Sequence, residues 1–169
     1  MKTISLATAT ALAAAGCVLA VPTAASATPA CGNHSLAVTA TASQGATGHG
    51  NFVLLFRNKT YRACTLYGYP GLDALNGYGN VIKHAKRTLT GFTGGSTQGL
   101  QTIRVKPGKY ASADVEWLNF KPKTGESCTF SASVAATPAN TSHTVHLNRS
   151  VSVCRLEVHP TVAGKTGNS

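Results

Sequence analysis

Acidic side chains are scarce in this sequence: 5 Asp and Glu among 169 residues, against 15 Lys and Arg. Charged residues of both signs reach only 12%, about half the globular norm, which excludes a coiled coil or a charge-rich disordered chain. No stretch beyond residue 27 shows a 3.6-residue apolar period with caps, so a helical bundle and a helix-borne phosphate loop are excluded as well. Nor does any later run reach 18 apolar residues, the length a membrane-spanning helix needs. There is no Cys-x-x-Cys pair, and only His34 lies within four residues of a cysteine, which argues against a zinc site built on thiolates.

What is present begins with an exported leader. Lys2 supplies a positive start, Thr3 to Val21 is free of charge and rich in Ala, Leu and Val, and Pro22 ends the apolar run. Ala25-Ser26-Ala27 has the small-x-small pattern of a signal-peptidase site, so residues 1–27 are expected to be a signal peptide removed after Ala27. The alternative is a lipoprotein anchored through Cys17, since Ala14-Ala15-Gly16-Cys17 resembles a lipobox. Ala14 stands where a lipobox usually has Leu, and Val18 to Val21 is still apolar, so a secreted, soluble chain is the expectation.

Loss of the leader removes Lys2 and Cys17, leaving 14 basic against 5 acidic residues, a net charge of +9. Four cysteines remain: Cys31, Cys64, Cys128 and Cys154. An even number in an exported chain points to two disulfides. Three pairings are open. The sequential one, Cys31–Cys64 with Cys128–Cys154, is favoured because each bridge closes a modest loop of about 25–35 residues.

The apolar pattern of the mature chain has period two. Leu36 and Val38 alternate with Ala37 and Thr39; Phe52, Leu54 and Phe56 share one face, Val53 and Leu55 the other. Ile103 with Val105, the set Ala111, Ala113, Val115 and Trp117, then Phe130, Ala132 and Val134, and finally Val145, Leu147, Leu156 and Val158 continue the series. Gly, Asn and Pro clusters punctuate it at Gly45–Gly50, Tyr69–Gly71, Asn76–Asn80, Gly94-Gly95, Pro107-Gly108 and Thr137–Asn140. The expected fold is all-β, a sandwich of about seven to nine strands over residues 28–160, followed by a flexible tail at 161–169. The segment Thr90–Gly99 reads as a mobile loop.

Several blocks taken in order resemble a known family. Arg57-Asn58-Lys59-Thr60 ends a Phe-rich strand, and Cys64-Thr65-Leu66-Tyr67-Gly68-Tyr69-Pro70-Gly71-Leu72 follows. Val105-Lys106-Pro107-Gly108 then leads into Ala111-Ser112-Ala113 and Trp117, before Cys128 and Cys154. This is similar to the actinobacterial exported "domain of unknown function 4232", over essentially the whole mature chain. The resemblance implies a secreted or lipoprotein domain with an immunoglobulin-like sandwich and no assigned activity.

Catalytic chemistry finds little support. The acids are Asp73, Asp114, Glu116, Glu126 and Glu157, and no Gly-x-Ser-x-Gly occurs. Asp114 and Glu116 share a strand face about 7 Å apart, which suits a carboxylate pair, but the expected reading is a solvated strand face. The histidines, His159 among them, are expected to be exposed, and neither a metal nor a cofactor is expected. The basic residues Lys83, Lys86 and Arg87, and then Arg104 and Lys106, form a cationic strip if their strands are neighbours, with Tyr67 and Tyr69 as further recognition residues. The chain is therefore expected to be a monomeric, non-enzymatic binding domain. Its expected partners are an anionic wall polymer, a membrane surface or a protein, with nucleic acid disfavoured. The alternatives are a protease inhibitor presenting Tyr67–Leu72 and, behind it, a hydrolase.

Overall fold

A computed structural model describes residues 27–169; the expected leader, Cys17 included, lies outside the described residues but for Ala27. Among the described residues there are thirteen strands and no helix: β1 (Leu36–Ala40), β2 (Gln44–Ala46), β3 (His49–Asn58), β4 (Cys64–Tyr67), β5 (Gly71–Leu75), β6 (Val81–His84), β7 (Lys86–Arg87), β8 (Thr102–Val105), β9 (Tyr110–Leu118), β10 (Ser133–Thr137), β11 (Val145–Leu147), β12 (Cys154–Val158) and β13 (Val162–Ala163). The fold is all-β, as expected. The strand number exceeds seven to nine because short fragments such as β2, β6, β7 and β13 carry no alternation.

Two long strands carry the period-two pattern furthest. In β3 the side chains of Phe52, Leu54 and Phe56 are buried, while Asn51, Val53 and Leu55 on the other face are half-buried. β9 lies antiparallel to β3 with Leu54 opposite Ala113 and Phe52 opposite Val115. The seven-stranded sheet runs β1-β3-β9-β12-β7, with β2 added to β3 and β13 added to β9. A four-stranded sheet, β11-β10-β5-β6, and the pair β4-β8 complete the framework. One core joins Phe52, Leu54, Phe56 and Val115 of the large sheet to Leu66, Leu72, Val105 and Val134 of the two small ones. Burying such side chains is worth about 1.5–3 kcal/mol each.

The cysteines pair as Cys31–Cys64 and Cys128–Cys154, across separations of 33 and 26 residues. On the chain-entropy model each loop closure contributes about 3–4 kcal/mol. The first bridge ties the segment before β1 to β4; the second ties β12 to the segment that follows β9. Within the loop closed by the first bridge, Asn58 is fully buried at the end of β3. Its amide donates to the carbonyls of Arg62 and Val105, and its oxygen accepts from the Thr60 N–H and hydroxyl. The Asn-Lys-Thr triplet is thus a turn in which every polar group of Asn58 is satisfied.

Three expectations need correction. Residues 161–169 are no loose tail: β13 pairs with β9, and the Gly167 N–H donates to the Ser112 hydroxyl at 3.0 Å. The Thr90–Gly99 segment is held down rather than mobile, because its backbone binds carboxylates of β9 (described below). The basic strands are not neighbours in one sheet: β6 belongs to the four-stranded sheet, β7 to the large one and β8 to the pair.

Trp117 fixes the end of the β2–β3 hairpin. That hairpin turns through Thr47 and Gly48, both at positive φ, the two-residue geometry that matches strand twist. Gly50 sits opposite Trp117 in β9, and a Cβ there would overlap the indole. Gly50→Ala is therefore expected to cost about 1–3 kcal/mol by overpacking. Gly77→Ala, whose Cβ meets nothing within 4 Å, should change stability by less than about 0.5 kcal/mol. Urea denaturation of both variants checks the difference.

Candidate site: a buried carboxylate face under a glycine loop

β9 is buried on both of its faces. Ala111, Ala113, Val115 and Trp117 enter the core, and alternation sends Ser112, Asp114 and Glu116 to the opposite face. Across the strand gap, Glu157 pairs with Glu116, and the His159 N–H donates to the Asp114 carbonyl. Two acids on β9, an acid on β12 and the histidine just past its end therefore share one patch of sheet. Asp114 is 1% exposed, Glu116 5% and His159 0%. The expected solvated face and exposed histidine are both overturned, because a roof covers them.

The roof has two parts. The first is the segment from Thr88 to Ser96, which crosses over Glu116. The Phe92 N–H donates to Glu116 Oε1 at 2.8 Å and the Thr93 N–H to Oε2 at 2.7 Å. The Thr93 hydroxyl reaches Asp114 Oδ2 at 2.5 Å and Glu116 Oε2 at 2.8 Å. Asn51, from β3, donates its amide to Asp114 Oδ1 at 3.3 Å. The loop approaches so closely because Gly91 has no side chain: a Cβ there would overlap the Glu116 carboxylate and touch His159. The second part is the C-terminal segment, where a Cβ on Gly167 would press on the Asp114 backbone.

Electrostatics follow from this packing. Burial works to raise the Glu116 pKa, but the facing His159, the Thr93 and Phe92 amides and the Thr93 hydroxyl outweigh it and hold it at about 2. For Asp114 burial prevails and the pKa is raised, against the pull of Thr93, Asn51 and His159. Burial would lower the His159 pKa, yet Glu116, the Thr88 carbonyl and Asp114 together raise it. A group held low in the folded state stabilises above its unfolded value. The contribution from Glu116 is thus complete above the ordinary carboxylate range and disappears as pH falls toward about 2.

The basic residues singled out in the sequence are all exposed but divide into two groups. Lys83 lies on β6 and Lys86 and Arg87 on β7, strands at the outer edges of two different sheets. Tyr67, half exposed, stands on the β4–β8 pair, where Arg104 faces Thr65; Lys106 follows β8 directly. Tyr69 is half-buried between β4 and β5. The Tyr67–Leu72 segment holds only three residues between those strands, and its Gly68 carbonyl accepts the Thr161 N–H at 2.9 Å. Gly68 has φ of 91° and so needs glycine, whereas Gly71 is not at positive φ.

An open groove of about 530 Å³ lies at the hairpin end, beside His49, Trp117, Asn119, Phe130 and Arg149. His49, which lines the groove, also stacks on the exposed Phe92 ring, with centroids 3.7 Å apart. The Arg149 guanidinium is spent on the carbonyls of Thr41, Ala40 and Asn148.

Strands, core and bridges together define a small disulfide-stapled all-β domain, with a polar cluster locked beneath its own loop. The chain belongs to the family "Domain of unknown function (DUF4232)", whose model matches residues 31–167. That match takes in β13 and most of the segment once read as a tail. No curated protein matches the chain. Among solved structures, the β-glucosidase of Kluyveromyces marxianus is similar over 77% of this chain and 15% of its own, at 9% identity and a TM-score of 0.34. The chain thus spans a small part of that enzyme.

The Thr93 hydroxyl is the link between both carboxylates and the loop. Thr93→Val is expected to speed amide exchange at Phe92 and Thr93 about 10–100-fold, the equivalent of a lost charge-assisted hydrogen bond of about 1.5–3 kcal/mol. The amides of β3 should keep their protection, and hydrogen-exchange mass spectrometry reads both.

Proposed function

We propose that this chain is a secreted, non-catalytic binding domain that adheres to anionic polymer of the cell envelope through exposed lysines and arginines. The observation that carries the reading is the fate of the acids. Asp114, Glu116 and Glu157 are buried, while Asp73 pairs with His84 at 2.6 Å and Glu126 with Lys121 at 2.7 Å. All five acidic side chains in the chain are thus buried or paired. Of the 14 lysines and arginines among the described residues, only Lys121 and Arg155 have a carboxylate within 4.0 Å. The outer surface therefore carries positive charge with almost nothing to offset it.

Such a field attracts polyanions and fades with salt, over a Debye length of about 8–10 Å at physiological ionic strength. The densest part is the edge from β6 to β7, where Lys83, His84, Lys86 and Arg87 are exposed within five residues. Charged side chains on edge strands also prevent sheet-to-sheet aggregation, so the edge keeps the molecule monomeric while it presents the charge. Two disulfides suit an oxidising compartment, and no helix among the described residues is long and apolar enough to cross a membrane.

Purified cell wall should retain the protein at low salt and release it as sodium chloride rises. The triple variant Lys83→Glu, Lys86→Glu, Arg87→Glu should bind at least about tenfold more weakly, since reversing three charges removes several times RT of attraction. Arg104→Glu with Lys106→Glu should have the smaller effect. Equal retention on wall and on a neutral matrix would remove this reading.

A further inference from the structure

The buried face of β9 holds more negative charge than the protein supplies positive charge to meet. Three of five acids in the chain stand there, and Arg155 reaches only Glu157, at 3.5 Å. Among the described residues, no lysine or arginine lies within 4.0 Å of Asp114 or Glu116; the basic side chain that faces them is the His159 imidazole.

The hydrogen bonds do not exhaust these carboxylates either. Two ionised carboxylates offer about eight acceptor positions. They receive four protons, from the Phe92 and Thr93 amides, the Thr93 hydroxyl and the Asn51 side chain. His159 is incomplete in the complementary way. Its Nδ1 lies 3.0 Å from the Thr88 carbonyl, which can only accept, so Nδ1 carries a proton. Its Nε2 is fully buried, points at Glu116 Oε2 from 3.7 Å, and has no hydrogen-bond partner. An imidazole fixed by an N–H to a backbone carbonyl, with its other nitrogen left free toward carboxylates, is how proteins orient a metal-binding histidine.

We propose that Asp114, Glu116 and His159 Nε2 bind one divalent transition-metal ion, of the Zn²⁺ or Mn²⁺ class. One donor atom from each lies within 4.8 Å of the others. Ligands about 2 Å from a common ion stand roughly 3 Å apart, so small side-chain rotations close the set. Mixed oxygen and imidazole donors select first-row ions over Ca²⁺ and Mg²⁺, which prefer oxygen alone. The loop and the C-terminal segment shut the site from solvent, as in structural metal sites. The ion would join β9, the end of β12 and the loop beneath one charge. This site is independent of the cationic edge and of any polymer bound there.

The experiment uses purified protein freed of metal by a chelator, with ¹⁵N-labelled histidine. On addition of Zn²⁺, the Nε2 resonance of His159 should shift at one ion per chain, and the thermal midpoint should rise. Ca²⁺ should do neither. Asp114→Asn and His159→Gln should each weaken Zn²⁺ binding at least tenfold, read by calorimetry. The nitrogen shift is read on the unmutated protein, so a variant that fails to fold leaves the test intact. A His159 Nε2 resonance unmoved at saturating Zn²⁺ overturns the proposal. So does an equal Zn²⁺ affinity in His159→Gln, which would locate the ion on surface histidines such as His34 and His143, whose rings lie 4.8 Å apart.

Discussion

The Glu116 carboxylate, gripped by two consecutive backbone amides, is the contact on which the outer half of this molecule depends. A strand buried on both faces needs partners for whatever polar groups alternation places on its second face. β9 has Ser112, Asp114 and Glu116 there. The Phe92 and Thr93 amides, the Thr93 hydroxyl and the Gly167 amide meet them. A buried carboxylate without donors is costly, and loop amides without an acceptor are costly too. Each removes the penalty of the other. The loop between β7 and β8 and the segment after β13 are in this sense part of the fold, and glycines at 91 and 167 are the steric condition for their close approach.

The same arrangement shapes the exterior. Drawing three of five acids inward, and pairing the other two, leaves a surface whose cations are mostly unmatched. Charge scarcity alone would produce a weakly basic protein. Segregating the acids makes the outward field more positive than the net charge of +10 suggests. The buried polar cluster and the positive surface are thus two consequences of one distribution of carboxylates.

Much of the scaffold was legible in the residues. β1, β3, β9 and β12 announce themselves by alternation, and of the three pairings that four cysteines leave open, the favoured sequential one is the one formed. Of the shorter strands, β8 and β11 show in Ile103 with Val105 and Val145 with Leu147, but β5 and β6 do not. β6 is exposed at all four positions and has no alternation to read, and β5 begins at Gly71 after a Pro. Asp114 and Glu116 could be assigned to one face from their spacing. Their burial could not, because the covering loop lies more than twenty residues away in sequence and binds through backbone amides that carry no residue signature. Gly91, Gly94 and Gly95 suggested mobility for the same reason they permit contact: small residues are compatible with both. One available signal was the Asp-x-Glu pair inside a strand otherwise made of Ala, Val, Ser, Trp, Tyr and Leu, in a chain with so few acids. The His159 side chain gave no such hint.

Site-resolved titration of the five carboxyl groups by NMR tests the central claim most directly. Glu116 should stay ionised down to about pH 2, and Asp114 should take its proton above the ordinary aspartate value. Five carboxyls that titrate together in the ordinary range would contradict it, placing Asp114 and Glu116 in solvent and leaving the loop unclamped.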